Sequence, residues 1–142
     1  MMKKALLVAT VWAAGCATSS AEKINESAAA ILAEHERTGE VQSCLNVRSI
    51  DSIQAVDEKT LLIRSGVNDY YVSDLKSRCS GSTSGFNRFE YTLSLSSLCR
   101  NDIIRIVDNA TGFLAGSCGM GSFEKLEKKP PAEPAEPAEP SE

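Results

Sequence analysis

Hydrophobic positions change their period several times along the chain. A ten-residue apolar run occupies Ala5 to Ala14, directly after Lys3 and Lys4. From Ser20 to Thr38 the apolar residues Ile24, Ala28, Ile31 and Leu32, with His35, recur at three- and four-residue spacing. That spacing predicts one amphipathic helix, with Ser19 and Glu22 at capping-box distance and Gly39 at its C-terminal stop. Beyond Cys44 the alternation is strand-like. Strands are expected at Leu45–Ile50, Ser52–Val56, Thr60–Arg64, Tyr70–Val72, Phe89–Leu93, Asp102–Val107 and from Ser117 to Leu126. Asp57-Glu58-Lys59, Gly66 with Asn68-Asp69, Ser80–Gly85 and Asn109–Gly112 supply the turns between them. Six to seven short strands after one helix predict a small all-β domain, either a barrel or a strongly curled sheet.

The leading run is too short to span a bilayer. Ten helical residues rise about 15 Å, against a hydrocarbon core of about 30 Å. With its basic start and small residues before Cys16, the segment reads as a cleaved export signal. Ala13-Ala14-Gly15-Cys16 resembles the lipobox of bacterial lipoproteins, which implies acylation of Cys16, palmitate included, and removal of residues 1–15. No aspartate follows Cys16, and in lipoproteins of that type this implies the outer membrane, facing the periplasm. Four regions result: signal 1–15, polar linker and helix 16–40, β domain 41–129, and tail 130–142. In the tail, Pro130-Pro131 precedes Ala-Glu-Pro three times over. Such a segment lacks the apolar side chains of a core and favours extended polyproline II, about 3.1 Å per residue.

Cysteine count fits this address. The chain has five cysteines, and acylating Cys16 leaves Cys44, Cys79, Cys99 and Cys118, an even set for an oxidising compartment. Two disulfides follow, and they suit a domain of about ninety residues whose core is marginal in size. Three pairings are open. Proximity in sequence favours Cys79–Cys99 as a local bridge, with Cys44–Cys118 joining the first strand to the last.

Charge narrows the partner classes. The full chain carries a formal −4, concentrated outside a near-neutral β domain, so no basic face invites nucleic acid. Chemistry is sparse. The only histidine, His35, lies in the helical segment, which removes Ser-His-Asp and Cys-His systems from the β domain. Four domain cysteines without a close pair do not have zinc-ligand or thioredoxin-type spacing. Gly116-Ser117-Cys118-Gly119-Met120-Gly121 lacks the Lys-Ser/Thr ending of a phosphate loop, and its glycines read as bulges or close backbone approaches beside a disulfide. Asp57, Asp74, Asp102 and Asp108 stand at turn positions, where aspartate bonds the local backbone. Neither a cofactor nor a metal site is expected. The most site-like group is Tyr71, Asp74, Arg78, Tyr91 and Arg105, with Tyr70 and Arg100 nearby in sequence. Arginine with tyrosine suits anionic or sugar-containing ligands, whereas laddering across a sheet would make the same residues structural.

The motifs Cys44-Leu-x-x-Arg48, Asp57-x-x-Thr60-Leu61, Tyr71-x-x-Asp74-Leu75-x-x-Arg78-Cys79, Leu98-Cys99-x-x-Asp102-Ile103-Ile104-Arg105 and Ser117-Cys118-Gly119-x-Gly121-x-Phe123 resemble the Domain of Unknown Function 6491 family of small exported bacterial proteins. The likeness runs from about Cys44 to Phe123, with Ser80 where that family often has proline after the second cysteine. It implies a fold unit and no mechanism. The expected role is that of a non-catalytic envelope lipoprotein, a structural or interaction module anchored in the membrane and facing an envelope protein partner. The alternative is a ligand-binding module or enzyme using the Tyr/Arg/Asp face.

Overall fold

The computed structural model describes residues 25–93 and 96–131. The export signal, Cys16 and the Ala-Glu-Pro repeats lie outside the described residues. What is described is mostly β: one helix, ten strands and a single 3-10 turn. The helix α1 spans Glu26–Ala33, and the strands are β1 (His35–Gln42), β2 (Cys44–Asn46), β3 (Ile50–Ala55), β4 (Thr60–Ser65), β5 (Asp69–Asp74), β6 (Asn87–Tyr91), β7 (Ser97–Cys99), β8 (Ile103–Asp108), β9 (Leu114–Gly119) and β10 (Phe123–Lys128). They form a five-stranded sheet in the order β1-β10-β5-β4-β3, a three-stranded sheet β6-β8-β9 and the pair β2-β7. Every described pairing is antiparallel. The sheets are not closed into a barrel.

Burial on both faces explains the unbroken apolar run of β4. Leu61 and Ile63 join the main core with Phe123, Leu98, Ile104, Ile106 and Met120, between the larger sheet and the others. Leu62 points the other way, to a second core with Val72, Leu126 and Ala28 of α1. Alternation along a strand puts neighbours on opposite faces, so one strand serves both cores. The helix therefore rests on the domain.

That helix is shorter than its periodicity implied. Its N-cap is Asn25, whose Oδ1 accepts from the Ala28 N–H, and it ends at Ala33. The Glu34 carbonyl then accepts from Lys129 N–H, and Lys129 Nζ donates to the Ala33 carbonyl. These bonds turn the chain into β1 before Gly39 is reached. Gly39 is no helix stop. It has φ +79° and lies where the β1–β10 register shifts, between Arg37 and Val41. His35 begins β1, and the boundary expected after residue 40 falls inside that strand.

Other elements also divide. The strand expected over Leu45–Ile50 is interrupted at Val47–Ser49, where the Asn46 side chain accepts from Arg48 N–H in a 3-10 turn. The expected final strand is two, β9 and β10, which belong to different sheets. Gly121 lies at the crossing between them. A side-chain carbon there would overlap the Asp74 carbonyl oxygen, and one on Gly116 would overlap that of Ser80. Close backbone approach is thus the reason for both glycines.

The disulfides are Cys44–Cys99 and Cys79–Cys118, not the pairing favoured by sequence proximity. Cys44 and Cys99 are direct partners in the β2–β7 register. Cys79 is carried to β9, where Cys118 is buried beside it in the main core. Nearness in sequence misleads because β7 crosses to β2. Closing loops of 55 and 39 positions stabilises by about 4 kcal/mol each in chain-entropy terms.

The glycine contacts make a sharp prediction. Gly121→Ala should cost at least about 2 kcal/mol in urea denaturation, since a backbone carbonyl must give way. Gly119→Ala, two residues away with nothing within 4 Å of its added carbon, should stay within about 0.5 kcal/mol. Equal effects at the two positions would remove the close-approach explanation.

Candidate functional site

The five residues of the expected ligand face are distributed over two sheets. Tyr71 and Asp74 belong to β5, Arg78 follows it, and Tyr91 and Arg105 lie on β6 and β8. Tyr71 packs against the main core, and its hydroxyl accepts from Gln42 Nε2 at 3.3 Å. Tyr70 faces the second core, with its ring centroid 4.9 Å from that of His35. The His35 Nδ1 lies 2.6 Å from the Ile31 carbonyl oxygen, which can only accept, so that nitrogen carries the hydrogen. Arg100 contributes a backbone N–H to the Ser43 carbonyl.

Asp74 is bound by Arg37, a residue from the edge strand β1. The guanidinium donates Nη2 to Asp74 Oδ1 at 2.9 Å and also reaches Glu124 Oε2 at 3.0 Å. These hydrogen bonds hold the Asp74 carboxyl below its ordinary range, and they push the Arg37 guanidinium up, chiefly through Asp74. Arg78 meets Glu58 at 2.7 Å. The carboxylates at turns act locally. Asp57 accepts from Lys59 N–H, and Asp102 from Cys99 N–H, each at 2.7 Å. Asp108 accepts from the N–H and hydroxyl of Thr111 and from Ala110 N–H, and the Thr111 backbone bond leads in holding its carboxyl below the usual carboxylate range. Among the described residues, no group of three or more His, Cys, Asp and Glu side chains could hold a metal ion.

Only Tyr91 and Arg105 of the expected face come together. They line an open depression with Phe89, Glu90 and Thr92. Tyr91 also borders a second cleft, of about 440 Å³, and this one is built from two strand edges. One wall is β3, the outer strand of the larger sheet, along all six residues Ile50–Ala55. The facing wall is β6, the outer strand of the smaller sheet, together with the loop Ser82–Gly85. Among the described residues neither strand has a partner on its outer side. Ile50, Ile53, Phe89 and Tyr91 are half-buried against the main core and border the cleft with apolar surface. Ser82 is buried, and its hydroxyl finds no hydrogen-bond partner. Ile50, Ile53 and Phe89 were legible only as strand positions, whereas Tyr91 belongs to the expected ligand face. Nothing in their alternation says that two edges would face each other.

The chain matches a family of unknown function, DUF6491, over residues 1–103. It belongs to that family. The DUF6491 match begins well before the Cys44 start of the motif resemblance and takes in α1 and β1. It ends before Cys118 and Phe123. No curated protein and no solved structure matches the chain.

The Arg37–Asp74 pair predicts a pH signature. A depressed carboxyl contributes stability fully above the ordinary aspartate value of about 3.9 and loses it as pH falls through the lower native value. Both side chains are about half exposed, so solvent screening limits the contribution to about 0.5–1 kcal/mol. Urea denaturation of wild type and Asp74→Asn should show that difference at pH 7 and its disappearance in strong acid. A difference independent of pH would separate Asp74 from the ion pair.

Proposed function

We propose that this protein is a non-catalytic envelope lipoprotein, anchored through Cys16 in the outer membrane and facing the periplasm, that works as an interaction module. The cleft between the open edges of β3 and β6 carries the reading. A strand edge offers a row of backbone donors and acceptors, and an extended peptide satisfies such a row by adding a strand. Two facing edges offer two rows. The bordering apolar residues Ile50, Ile53, Phe89 and Tyr91 would take every second side chain of the incoming segment, because alternate positions point to one face. The partner is therefore an extended, alternating segment of an envelope protein.

Support also comes from the polar residues that sequence singled out. Asp74 and Arg78 are engaged in ion pairs, the four domain cysteines in disulfides, and His35 in a tilted ring contact with Tyr70 and a backbone bond. The alternative, a module binding a sugar or an anion, draws on the depression where Tyr91 and Arg105 meet. Selection from a phage-displayed library of random heptapeptides discriminates the two. Enriched peptides should alternate apolar and polar residues and slow amide exchange across Ile50–Ala55 and Asn87–Tyr91. No enrichment, or protection confined to the Arg105 side of β8, would refute the strand-addition reading.

A further inference from the structure

We infer that one end of the domain, carrying Phe86, Phe113 and Leu114, inserts into the lipid surface to which the chain is tethered. Phe86 is 80% exposed, Phe113 75% and Leu114 53%. They converge because the Phe86 carbonyl accepts from Asn109 N–H and the Phe113 carbonyl from Asp108 N–H, two successive residues at the end of β8. Two phenylalanines of about 150–250 Å² each, left largely in water beside a leucine, form a patch of the size that marks an interaction or membrane site.

The backbone says which surface covers it. Asn25, where the described chain starts, donates its N–H to Val56. Two residues on, after the turn begins, Glu58 accepts from Cys79 N–H, and the Cys79 carbonyl from Ser82 N–H. The loop leading to Phe86 is thereby fixed at the end of the domain that holds Asn25. Asn25 and Ser82–Gly85 border the same cleft. Nine positions separate Asn25 from Cys16, and nine residues span at most about 30 Å. A lipid on Cys16 would therefore hold the Phe end toward the bilayer. This inference rests on the lipid-anchor reading proposed above. It also predicts the kind of contact: Arg88, the cation bonded to Asn109 there, is balanced by Asp108 and Glu90, and Asn109, Thr111 and Ser84 are uncharged, so insertion is apolar and insensitive to salt.

Val67 provides an internal reference. It is 86% exposed but lies in the β4–β5 turn, at the opposite end of β4 from Val56 and Asn25. The single tryptophan, Trp12, precedes Cys16, so the mature chain would carry none. The full chain with its own signal can therefore be made as Phe86→Trp, Phe113→Trp and Val67→Trp variants. Each is placed in vesicles of phosphatidylethanolamine and phosphatidylglycerol with brominated acyl chains, and intact mass reports acylation. Blue-shifted, bromine-quenched emission from the first two probes, unchanged by salt, with solvent-like emission from the third, is the expected result. Acylated chains in which all three probes behave alike would overturn the insertion and leave the anchor standing. An unacylated mass would overturn the anchor, and quenching of the Phe86→Trp probe on the same vesicles would still decide the insertion by itself. Shielded but unquenched tip probes in a chain that sediments as a dimer would assign the face to a second copy and refute the membrane contact.

Discussion

The Cys79–Cys118 bond ties the segment that follows β5 to β9, between two close backbone approaches. On one side of it Ser80 lies against Gly116, and on the other Asp74 lies against Gly121, each approach too tight for a side-chain carbon. The segment between β5 and β6 is thus laid along β9 and pinned by a covalent bond in the main core. The same segment is bonded to the β3–β4 turn, since Lys59 and Glu58 accept from Leu75 and Cys79 N–H groups at 2.8 and 2.7 Å. Arg78 adds its ion pair to Glu58. A connection of twelve residues with little regular structure becomes the seam of the molecule.

Both proposed surfaces depend on this seam. It sets the separation between β3 and β6, which belong to different sheets and share no hydrogen-bonded ladder. If the seam opened, those edges would drift and the cleft would lose its facing walls. The seam also delivers the chain to Ser82 and Phe86 at the end of the domain occupied by Asn25. A membrane-proximal aromatic end and a strand-accepting cleft rising from it would together let an anchored protein present its groove at a fixed height and attitude. The second disulfide, Cys44–Cys99, has a more local task, because it joins two three-residue strands too short to hold each other by backbone bonds alone.

Sequence revealed the strands that bury apolar side chains and concealed those that do not. Thr60–Ser65 and Ile103–Asp108 stand out by composition, and both occur close to their expected bounds. His35–Gln42 is almost wholly exposed on an edge, with Gly39 in its middle, so its polar residues carry no strand period. There tertiary pairing with β10 overrides local preference, and the helical spacing of the preceding residues runs on past the true helix end. Ser97–Cys99 is too short for any period to register. The even cysteine set implied two bridges, but their partners depend on a chain crossing that spacing does not encode. The Tyr/Arg/Asp group illustrates the same limit. Arg37, the actual partner of Asp74, lies in the missed edge strand, while across the β6–β8 ladder Tyr91 is paired with Ile104 and Arg105 with Glu90.

Peptide mapping of the protein under non-reducing conditions tests the seam most directly. Proteolysis should release one disulfide-linked pair containing Cys79 with Cys118 and another containing Cys44 with Cys99. A linked pair containing Cys79 with Cys99 would contradict the account, because β9 could not then be held against the Asp74–Ser80 segment by that bond.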